Sequence, residues 1–265
     1  MRVAIIGAGR LANSLQASMT GQGIATQLHS RATGFDVLDR TTADTIGETD
    51  VVIEATDIPT QKAEVATEFF VRSTRAVNAV AARAQAKHIL VSIVSVDHPR
   101  LQGNGYYAGK AAQQQVALSE HSRLTVVRST TWHEFAHQNL ERFRFGRLSL
   151  VPSMLIRPLA LDALAQAVTE CATGQRPGAS YDFAGPEVTT LWKMTKRLGE
   201  KRSLLIPLSV PGEAGRAMRH GALLPTGDYE VLGPRFNEWL SLGQCGRPAR
   251  SDPPGRSDQR TPYDQ

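Results

Sequence analysis

Tyr106 and Lys110, in the stretch NGYYAGKAA, have types and a spacing that suit acid–base chemistry. Residues four apart lie on the same side of a helix, so the two side chains are expected to act together. The tyrosine pKa is ordinarily about 10, and a neighbouring ammonium lowers it by favouring the phenolate. The pair therefore predicts a proton donor to a carbonyl oxygen. Ser92 and Ser95 end the preceding run LVSIVSV, and a hydroxyl there can hydrogen-bond the same oxygen.

A second pattern that could support catalysis is HEFAH (133–137), which fits the H-E-x-x-H motif of zinc hydrolases. That motif needs two histidines one helical turn apart and a third ligand elsewhere. The extended form of the motif needs Gly and His where Leu140 and Phe143 stand, and Glu170 is a downstream ligand candidate without a motif of its own. We therefore predict no metal site, and a zinc hydrolase stays a remote alternative.

The chain begins with a turn suited to a dinucleotide. Gly7, Gly9 and Ala12 form G-x-G-x-x-A directly after the apolar run RVAII and at the start of a helical pattern. The first glycine permits the tight turn, the second lets the backbone approach a pyrophosphate, and Ala12 keeps helix and strand close. The helix N-terminus, at Arg10 and Leu11, offers N–H donors to the phosphates. A glycine-rich turn without a ligand is the alternative.

The end of the second predicted strand bears on the choice of nucleotide. Binders of NAD usually carry an acidic residue there, which accepts a hydrogen bond from the ribose 2′-OH. This chain has Ser30 and Arg31 instead, and an arginine suits a 2′-phosphate. We predict NADP(H) in preference to NAD(H), with a solvated surface role for Arg31 as the alternative. Asp36 and Val37 are expected to flank the adenine if a third strand forms.

The elements that must position these residues alternate between apolar runs and helical patterns. Strands are predicted at 2–6, 25–29, 35–38, 50–55, 88–96 and 124–129, and helices at 10–19, about 60–83 and 106–120. This alternation predicts a Rossmann-type α/β fold with a doubly wound parallel sheet. The second half is less regular, with a helix from about 161, a strand–turn–helix at 181–200, an extended run at 203–210 and a helix at 235–242.

These elements predict three regions. A dinucleotide-binding core spans 1–130, and a small C-terminal substrate lobe with returning elements of the core spans 131–242. The tail, 243–265, is rich in Pro, Gly and Arg and is predicted to be disordered.

The composition bounds the class of protein. The 265 residues carry a formal net charge of +5, with 41% hydrophobic and 21% charged residues. No basic run dominates, so a nucleic-acid partner is not expected. No apolar run reaches the length of a membrane span. Cys171 and Cys245 are too few for a disulfide framework, which favours a cytoplasmic protein. We expect a small-molecule substrate, and either a monomer or a homodimer.

Four stretches resemble the atypical branch of the short-chain dehydrogenase/reductase superfamily, the NmrA-like and NAD(P)-binding reductases. They are VSIVSVD (91–97), YYAGK (106–110), VRSTTWHEF (127–135) and AGPEVTTL (184–191). The resemblance implies that Tyr106 is the general acid/base and that Lys110 lowers its pKa and binds ribose. Ser92 would orient the carbonyl, with Ser95 as second choice. The stretch 127–135 would line the substrate pocket, which gives Thr130, Trp132 and His133 as pocket residues.

The sequence departs from that family after the fourth predicted strand. The family is rich in Asn, Ala and Gly there, whereas this chain has EATD (54–57). Ala55 and Thr56 are expected to bind the cofactor edge. Glu54 and Asp57 either bind a basic substrate or cap the helix after Pro59, and we favour the cap.

The resulting prediction is an enzyme, an NADP(H)-dependent oxidoreductase that moves hydride to or from a small carbonyl or hydroxyl substrate. One alternative is an NmrA-like regulator that binds dinucleotide without turnover. Another is an epimerase or dehydratase with a bound cofactor.

Overall fold

The computed structural model describes residues 1–121, 123–199 and 203–243. Its strands are β1 (Arg2–Ile6), β2 (Ala25–His29), β3 (Val51–Glu54), β4 (Lys87–Ile93), β5 (Leu124–Ser129), β6 (Arg144–Phe145), β7 (Leu148–Pro152), β8 (Leu155–Ile156), β9 (Ser180–Ala184), β10 (Thr189–Thr190), β11 (Leu204–Leu208) and β12 (Glu230–Val231). Its α-helices are α1 (Arg10–Thr20), α2 (Ala63–Arg83), α3 (Gly105–Glu120), α4 (Phe135–Arg142), α5 (Leu161–Thr173), α6 (Leu191–Arg197), α7 (Gly212–Arg219) and α8 (Phe236–Ser241). The tail predicted to be disordered lies outside the described residues, apart from Gly243.

The main sheet has seven strands in the order β12-β9-β5-β4-β3-β1-β2, and every pairing is parallel. The chain starts in β1, moves to β2 on one side and then to β3 on the other. This reversal is the topological switch point, outside which ligands bind in such sheets. The predicted α/β fold with a doubly wound parallel sheet is confirmed.

Alternation along the strands gives the sheet two apolar faces. Val3 and Ile5 of β1 pack with α1 and α5, whereas Ala4 and Ile6 pack with α2. A strand covered on both faces has no polar side, which explains the continuous apolar run of β1.

Helices α2 and α3 lie against each other on the second face. Two glycines of α3 make this possible, because a Cβ at Gly105 would lie 2.3 Å from the oxygen of Gln61 and one at Gly109 would lie 2.9 Å from Ala66. The close contact fixes α3, and with it the predicted catalytic pair, against α2.

The predicted third strand is wrong. Residues 35–38 form a turn that follows a short 3₁₀ segment, Arg31–Thr33, and β2 is the edge of the sheet. Phe35 is buried and Val37 is partly buried against the same cluster, so their burial made the stretch look like a strand. The carboxylate of Asp36 accepts a hydrogen bond from the backbone of Leu38, which is a turn and not a ladder bond.

The second half builds a separate apolar cluster. It combines Leu101 with residues of α4, α6, α7 and α8 and with two small sheets, β11-β7-β6 and β10-β8. Strands β9 and β12 and helix α5 return to the main sheet. This arrangement suits a core and a lobe, and the boundaries at 130 and 242 stay a prediction. None of the helices in the described ranges is long and apolar enough to cross a membrane.

Candidate active site

The glycine turn lies at the switch point of the sheet. Gly7 has φ of +138°, and a Cβ there would lie 2.6 Å from the oxygen of Ala55 at the end of β3. Only glycine fits this conformation and this close approach. Gly9 is different, because a Cβ there would meet nothing within 4 Å. The space beside Gly9 is therefore open to a ligand.

The first turn of α1 leaves donors available above that space. Its N-cap, Gly9, is extended and provides no side-chain cap, and no acidic residue lies in the first turn. Leu11 and Ala12 are buried beneath it, with Ala12 at 0% exposure against the sheet. The guanidinium of Arg10 lies 3.6 Å from the carboxylate of Glu141. A helix N-terminus of this kind, with uncapped N–H groups, suits a pyrophosphate.

The end of β2 is tied directly to the turn, since the amide of Gly7 donates a 2.9 Å hydrogen bond to the oxygen of His29. Ser30 and Arg31 follow immediately. Arg31 is exposed and makes no ion pair with any residue that the structure describes. Its charge is thus available beside the predicted nucleotide site. Asp36 lies in the following turn, and its carboxylate is engaged with that turn.

The predicted pair Tyr106 and Lys110 lies on the side of α3 that faces α2. Phe70 of α2 contacts both residues, with ring centroids 5.9 Å apart for Tyr106 and with the Lys110 Nζ 4.9 Å above its ring. Lys110 is 3% exposed, and its Nζ donates a 3.1 Å hydrogen bond to the oxygen of Val91 in β4. Asn104 caps α3 by accepting a hydrogen bond from the backbone of Tyr106.

The expectation that Lys110 lowers the pKa of Tyr106 is wrong for this arrangement. Burial raises the pKa of Tyr106 well above its ordinary value, and the nearby carboxylate of Asp57 raises it further. The Lys110 ammonium is turned to Val91 and Phe70 instead. Burial also lowers the pKa of Lys110, against the opposing effect of Asp57 and Glu54. The phenol therefore holds its proton at neutral pH.

The structure separates the two serine candidates. Ser92 is 2% exposed, and its hydroxyl has no hydrogen-bond partner among the described residues. Ser95 has φ of +60°, and its hydroxyl donates a 3.1 Å hydrogen bond to the oxygen of Leu224. An unpaired buried hydroxyl is costly unless it serves another partner. This favours Ser92, the first choice from the sequence, over Ser95.

The structure rules out the helix-cap reading of Glu54 and Asp57, and binding of a basic substrate by the exposed Asp57 stays a prediction. Helix α2 begins at Ala63, and its N-cap, Lys62, provides no side-chain cap. Glu54 is 0% exposed and points between the sheet and helices α2 and α3, where it contacts His88 at 3.2 Å. Asp57 is exposed and lies near Tyr106. The helix-cap expectation is therefore wrong for both.

Of the two residues expected at the cofactor edge after β3, one is partly exposed and the other is buried. Ala55 is half-buried, and its amide donates a 2.9 Å hydrogen bond to the oxygen of Ile6. Thr56 is buried, and its hydroxyl donates to Glu54. Ala55 thus faces the glycine turn, while the Thr56 side chain is committed to the interior.

The residues expected in the substrate pocket are largely engaged in packing. The hydroxyl of Thr130 donates a 2.5 Å hydrogen bond to the oxygen of Arg157, and the indole of Trp132 donates to Ser129 at 3.0 Å. Trp132 also packs against the core on the α1 and α5 face. These contacts make both residues part of the packed interior of the fold.

His133 is a structural residue of the second cluster. It is 0% exposed, and its ring meets Phe236 edge-on and Trp239 at a tilt. Its Nε2 lies 3.0 Å from the oxygen of Pro234. Burial lowers its pKa, so the ring is neutral and donates to that oxygen. Its assignment to the pocket is therefore wrong.

The zinc alternative gains no support. Helix α4 begins at Phe135, so His133 precedes it, and no group of three or more His, Cys, Asp or Glu within the described ranges is placed to hold a metal ion. Glu134 of the same motif is 8% exposed near the starts of α1 and α5, and burial raises its pKa to about 7.

Sequence reasoning missed the residues that surround the candidate pair. Phe70 gave no signal, since one aromatic residue in an apolar helix pattern is ordinary core. The donors around Glu54 gave one partial signal: Ser73, Thr74 and Gln113 are polar residues at buried positions of α2 and α3.

Neither protein-family models nor curated proteins match the chain. Solved structures share its fold. A dTDP-4-dehydrorhamnose reductase from Bacillus anthracis in complex with NADP matches with a TM-score of 0.70 and 15% identity, covering 91% of this chain and 97% of that chain. A nucleoside-diphosphate-sugar epimerase from Staphylococcus aureus matches with a TM-score of 0.64 and 11% identity, covering 86% and 93%.

A short-chain dehydrogenase/reductase superfamily protein from Agrobacterium tumefaciens with bound NAD matches with a TM-score of 0.63 and 12% identity, covering 91% and 95%. At these identities the likeness is one of fold. The resemblance found in the sequence is thus confirmed at the level of the fold.

Proposed function

We propose that the protein is an NADP(H)-dependent oxidoreductase of the atypical short-chain type, acting on a small carbonyl or hydroxyl compound. One observation carries this proposal: the glycine turn after β1 and the Tyr106–Lys110 pair beside β4 lie at the same carboxyl edge of one parallel sheet. Ligands of open α/β sheets bind in the crevice outside that edge.

The residues present fit a dinucleotide. Gly9 leaves space where any larger residue would project, and the uncapped first turn of α1 offers its N–H groups to a pyrophosphate. Arg31, exposed beside the turn, suits a ribose 2′-phosphate and is the reason to favour NADP(H) over NAD(H). When bound, the nicotinamide supplies or accepts the hydride.

Three residues of the chain carry out proton donation and substrate and nucleotide binding. Tyr106 keeps its proton at neutral pH, so its phenol donates that proton to a carbonyl oxygen in the direction of reduction. Ser92 offers its unpaired hydroxyl to the same oxygen. Lys110, held against β4, binds ribose hydroxyls of the nucleotide.

Consumption of NADPH with a panel of small aldehydes and ketones tests the proposal. Tyr106→Phe removes only the donor hydroxyl, and Tyr107→Phe is the matched control because Tyr107 packs with the second cluster. We expect turnover by the wild type and the Tyr107→Phe variant and a loss of at least about a hundredfold in Tyr106→Phe. Equal turnover by all three proteins would remove Tyr106 from the chemistry.

A second candidate is a dinucleotide-binding regulator without turnover. The orientation of Lys110 favours it, because its ammonium contacts the Val91 oxygen and the Phe70 ring and not the phenol of Tyr106. The same panel separates the two functions. Tight binding of NADPH without consumption of it against any substrate favours the regulator.

A further inference from the structure

A carboxylate is buried at the centre of the second face of the sheet. Glu54, the last residue of β3, is 0% exposed. Its Oε1 accepts hydrogen bonds from Thr74 of α2 at 2.8 Å and from Gln113 of α3 at 2.8 Å. Its Oε2 lies 3.2 Å from the Nε2 of His88 in β4, which is also 0% exposed. One side chain thus joins two strands and two helices.

The groups around Glu54 favour its ionised form despite its burial. Burial raises its pKa, but the contact with His88, the hydrogen bond from Thr74 and the charge of Lys110 together hold that pKa below its ordinary value. A buried ion of this kind seldom stabilises a fold more than apolar residues of similar volume would. A contribution to stability alone therefore does not explain why a carboxylate lies there.

Lys110 supplies the link to the candidate site. Gln113 lies three residues after Lys110 on α3, so the hydrogen bond to Glu54 anchors the same turn of the helix. Lys110 is itself 3% exposed, and burial favours its neutral form. Two carboxylates oppose that effect, the exposed Asp57 first and the buried Glu54 second. Glu54 pairs in register with Leu90, the residue before the Val91 that Lys110 contacts.

The other groups around the Lys110 ammonium are uncharged or act through Glu54. Strand β4 presents the oxygen of Val91 and, against Glu54, the ring of His88. Helix α2 presents the ring of Phe70. Glu54 is therefore the one fully buried countercharge among the groups the structure places around Lys110.

We propose that Glu54 is a positioning residue of the site: its carboxylate anchors α3 and keeps Lys110 as an ammonium ion where the dinucleotide ribose binds. The second half of this statement rests on the proposed function. The role of Glu54 is electrostatic, so it differs from that of the neutral groups that bond the same oxygen.

The test is the pKa of Lys110, measured by NMR of the lysine side-chain nitrogens in protein without nucleotide. Loss of one signal in Lys110→Arg assigns it. Glu54→Gln removes the charge with little change of shape, and Glu54→Asp retains the charge. Ser73→Ala is the structural control, because it removes a longer, 3.3 Å hydrogen bond to the same oxygen and leaves the carboxylate and its bond from Thr74 in place.

We expect Glu54→Gln to lower the pKa of Lys110 by at least about one unit. Glu54→Asp and Ser73→Ala are expected to shift that pKa by less than about a third of this amount. Equal shifts in Glu54→Gln and Ser73→Ala, or no shift in Glu54→Gln, would overturn the proposal.

If Glu54→Gln does not fold, the pKa of Lys110 in the wild type is the test. The proposal then requires Lys110 to titrate above about pH 8, and a value below this overturns it. The measurement needs no nucleotide. A protein that binds no NADPH would therefore remove the proposed function and leave the result on Glu54 and Lys110 standing.

Discussion

The Nζ of Lys110 donates a 3.1 Å hydrogen bond to the main-chain oxygen of Val91, the residue directly before Ser92. The Ser92 hydroxyl, buried at the same place, has no partner among the residues that the structure describes. The ammonium thus binds the main chain one residue before an unpaired buried hydroxyl, near the end of β4. Ser92, in the strand, and Ser95, which follows it, therefore have different expected roles.

Ser92→Ala is expected to lower turnover by about a hundredfold, because it removes a donor to the carbonyl oxygen. Its stability should stay within about 0.5 kcal/mol of the wild type, since no hydrogen bond is lost. Ser95→Ala should cost about 1 kcal/mol of unfolding free energy, through the lost bond to Leu224, and leave turnover near normal. Urea unfolding and NADPH consumption measure the two effects, and the reverse pattern would make Ser95 the orienting residue.

Asp57→Asn is expected to lower the pKa of Tyr106. After burial, the carboxylate of Asp57 is the next largest influence that raises this pKa, so its removal makes the phenolate easier to form. Ultraviolet titration of tyrosine measures the change, and Tyr106→Phe identifies the transition by its loss. An unchanged transition in Asp57→Asn would show that burial alone sets the pKa.

Arg31→Ala is expected to weaken the binding of NADPH about tenfold, which is about 1.4 kcal/mol, and to leave NADH unchanged. The reason is that, in the proposed function, Arg31 binds the 2′-phosphate, which NADH lacks. Arg147→Ala is the control, since Arg147 is an exposed arginine in the β6–β7 turn. Equal weakening of both nucleotides by Arg31→Ala would mean that Arg31 does not read the 2′-position.

Glu134 is expected to make stability depend on pH. Burial, with a smaller contribution from the charge of Asp162, raises its pKa from 4.5 to about 7. The folded protein then holds a proton that the unfolded chain has lost. The contribution of the neutral carboxyl is fully present below about pH 4.5 and is lost as the pH rises to about 7.

Glu134→Gln removes this dependence. The variant should equal the wild type near pH 4 and exceed it by up to about 3 kcal/mol of unfolding free energy above pH 7. Urea unfolding across this range gives the difference, and Glu141→Gln, at an exposed neighbouring carboxylate, serves as the control. A difference between Glu134→Gln and the wild type that does not vary with pH would contradict the expectation.

The parallel sheet could be predicted from the sequence because its strands are covered on both faces. Apolar runs such as RVAII and LTVVRS have no polar side to interrupt them, and β1 and β5 match them in full. The predicted strand at 35–38 shows the limit of this signal. Phe35 is buried beneath a turn, and burial without a partner strand produces the same apolar pattern.

The surroundings of the candidate pair could not be predicted, because they depend on contacts between distant segments. Gln113 reaches Glu54 across 59 positions of the chain, and His133 meets the oxygen of Pro234 across 101. A polar residue after a strand and a histidine in a motif look functional in sequence. Only tertiary packing shows that Glu54 is an interior carboxylate and that His133 is a core residue.

Binding of NADPH at the glycine turn tests the central claim most directly. We would titrate the wild type, Gly9→Val and Gly47→Ala with NADPH and follow nucleotide fluorescence. An added Cβ meets no atom within 4 Å at either glycine, so both variants are expected to fold. The account predicts saturable binding by the wild type and Gly47→Ala and none by Gly9→Val. Absence of binding by the wild type, or equal binding by Gly9→Val, would contradict it.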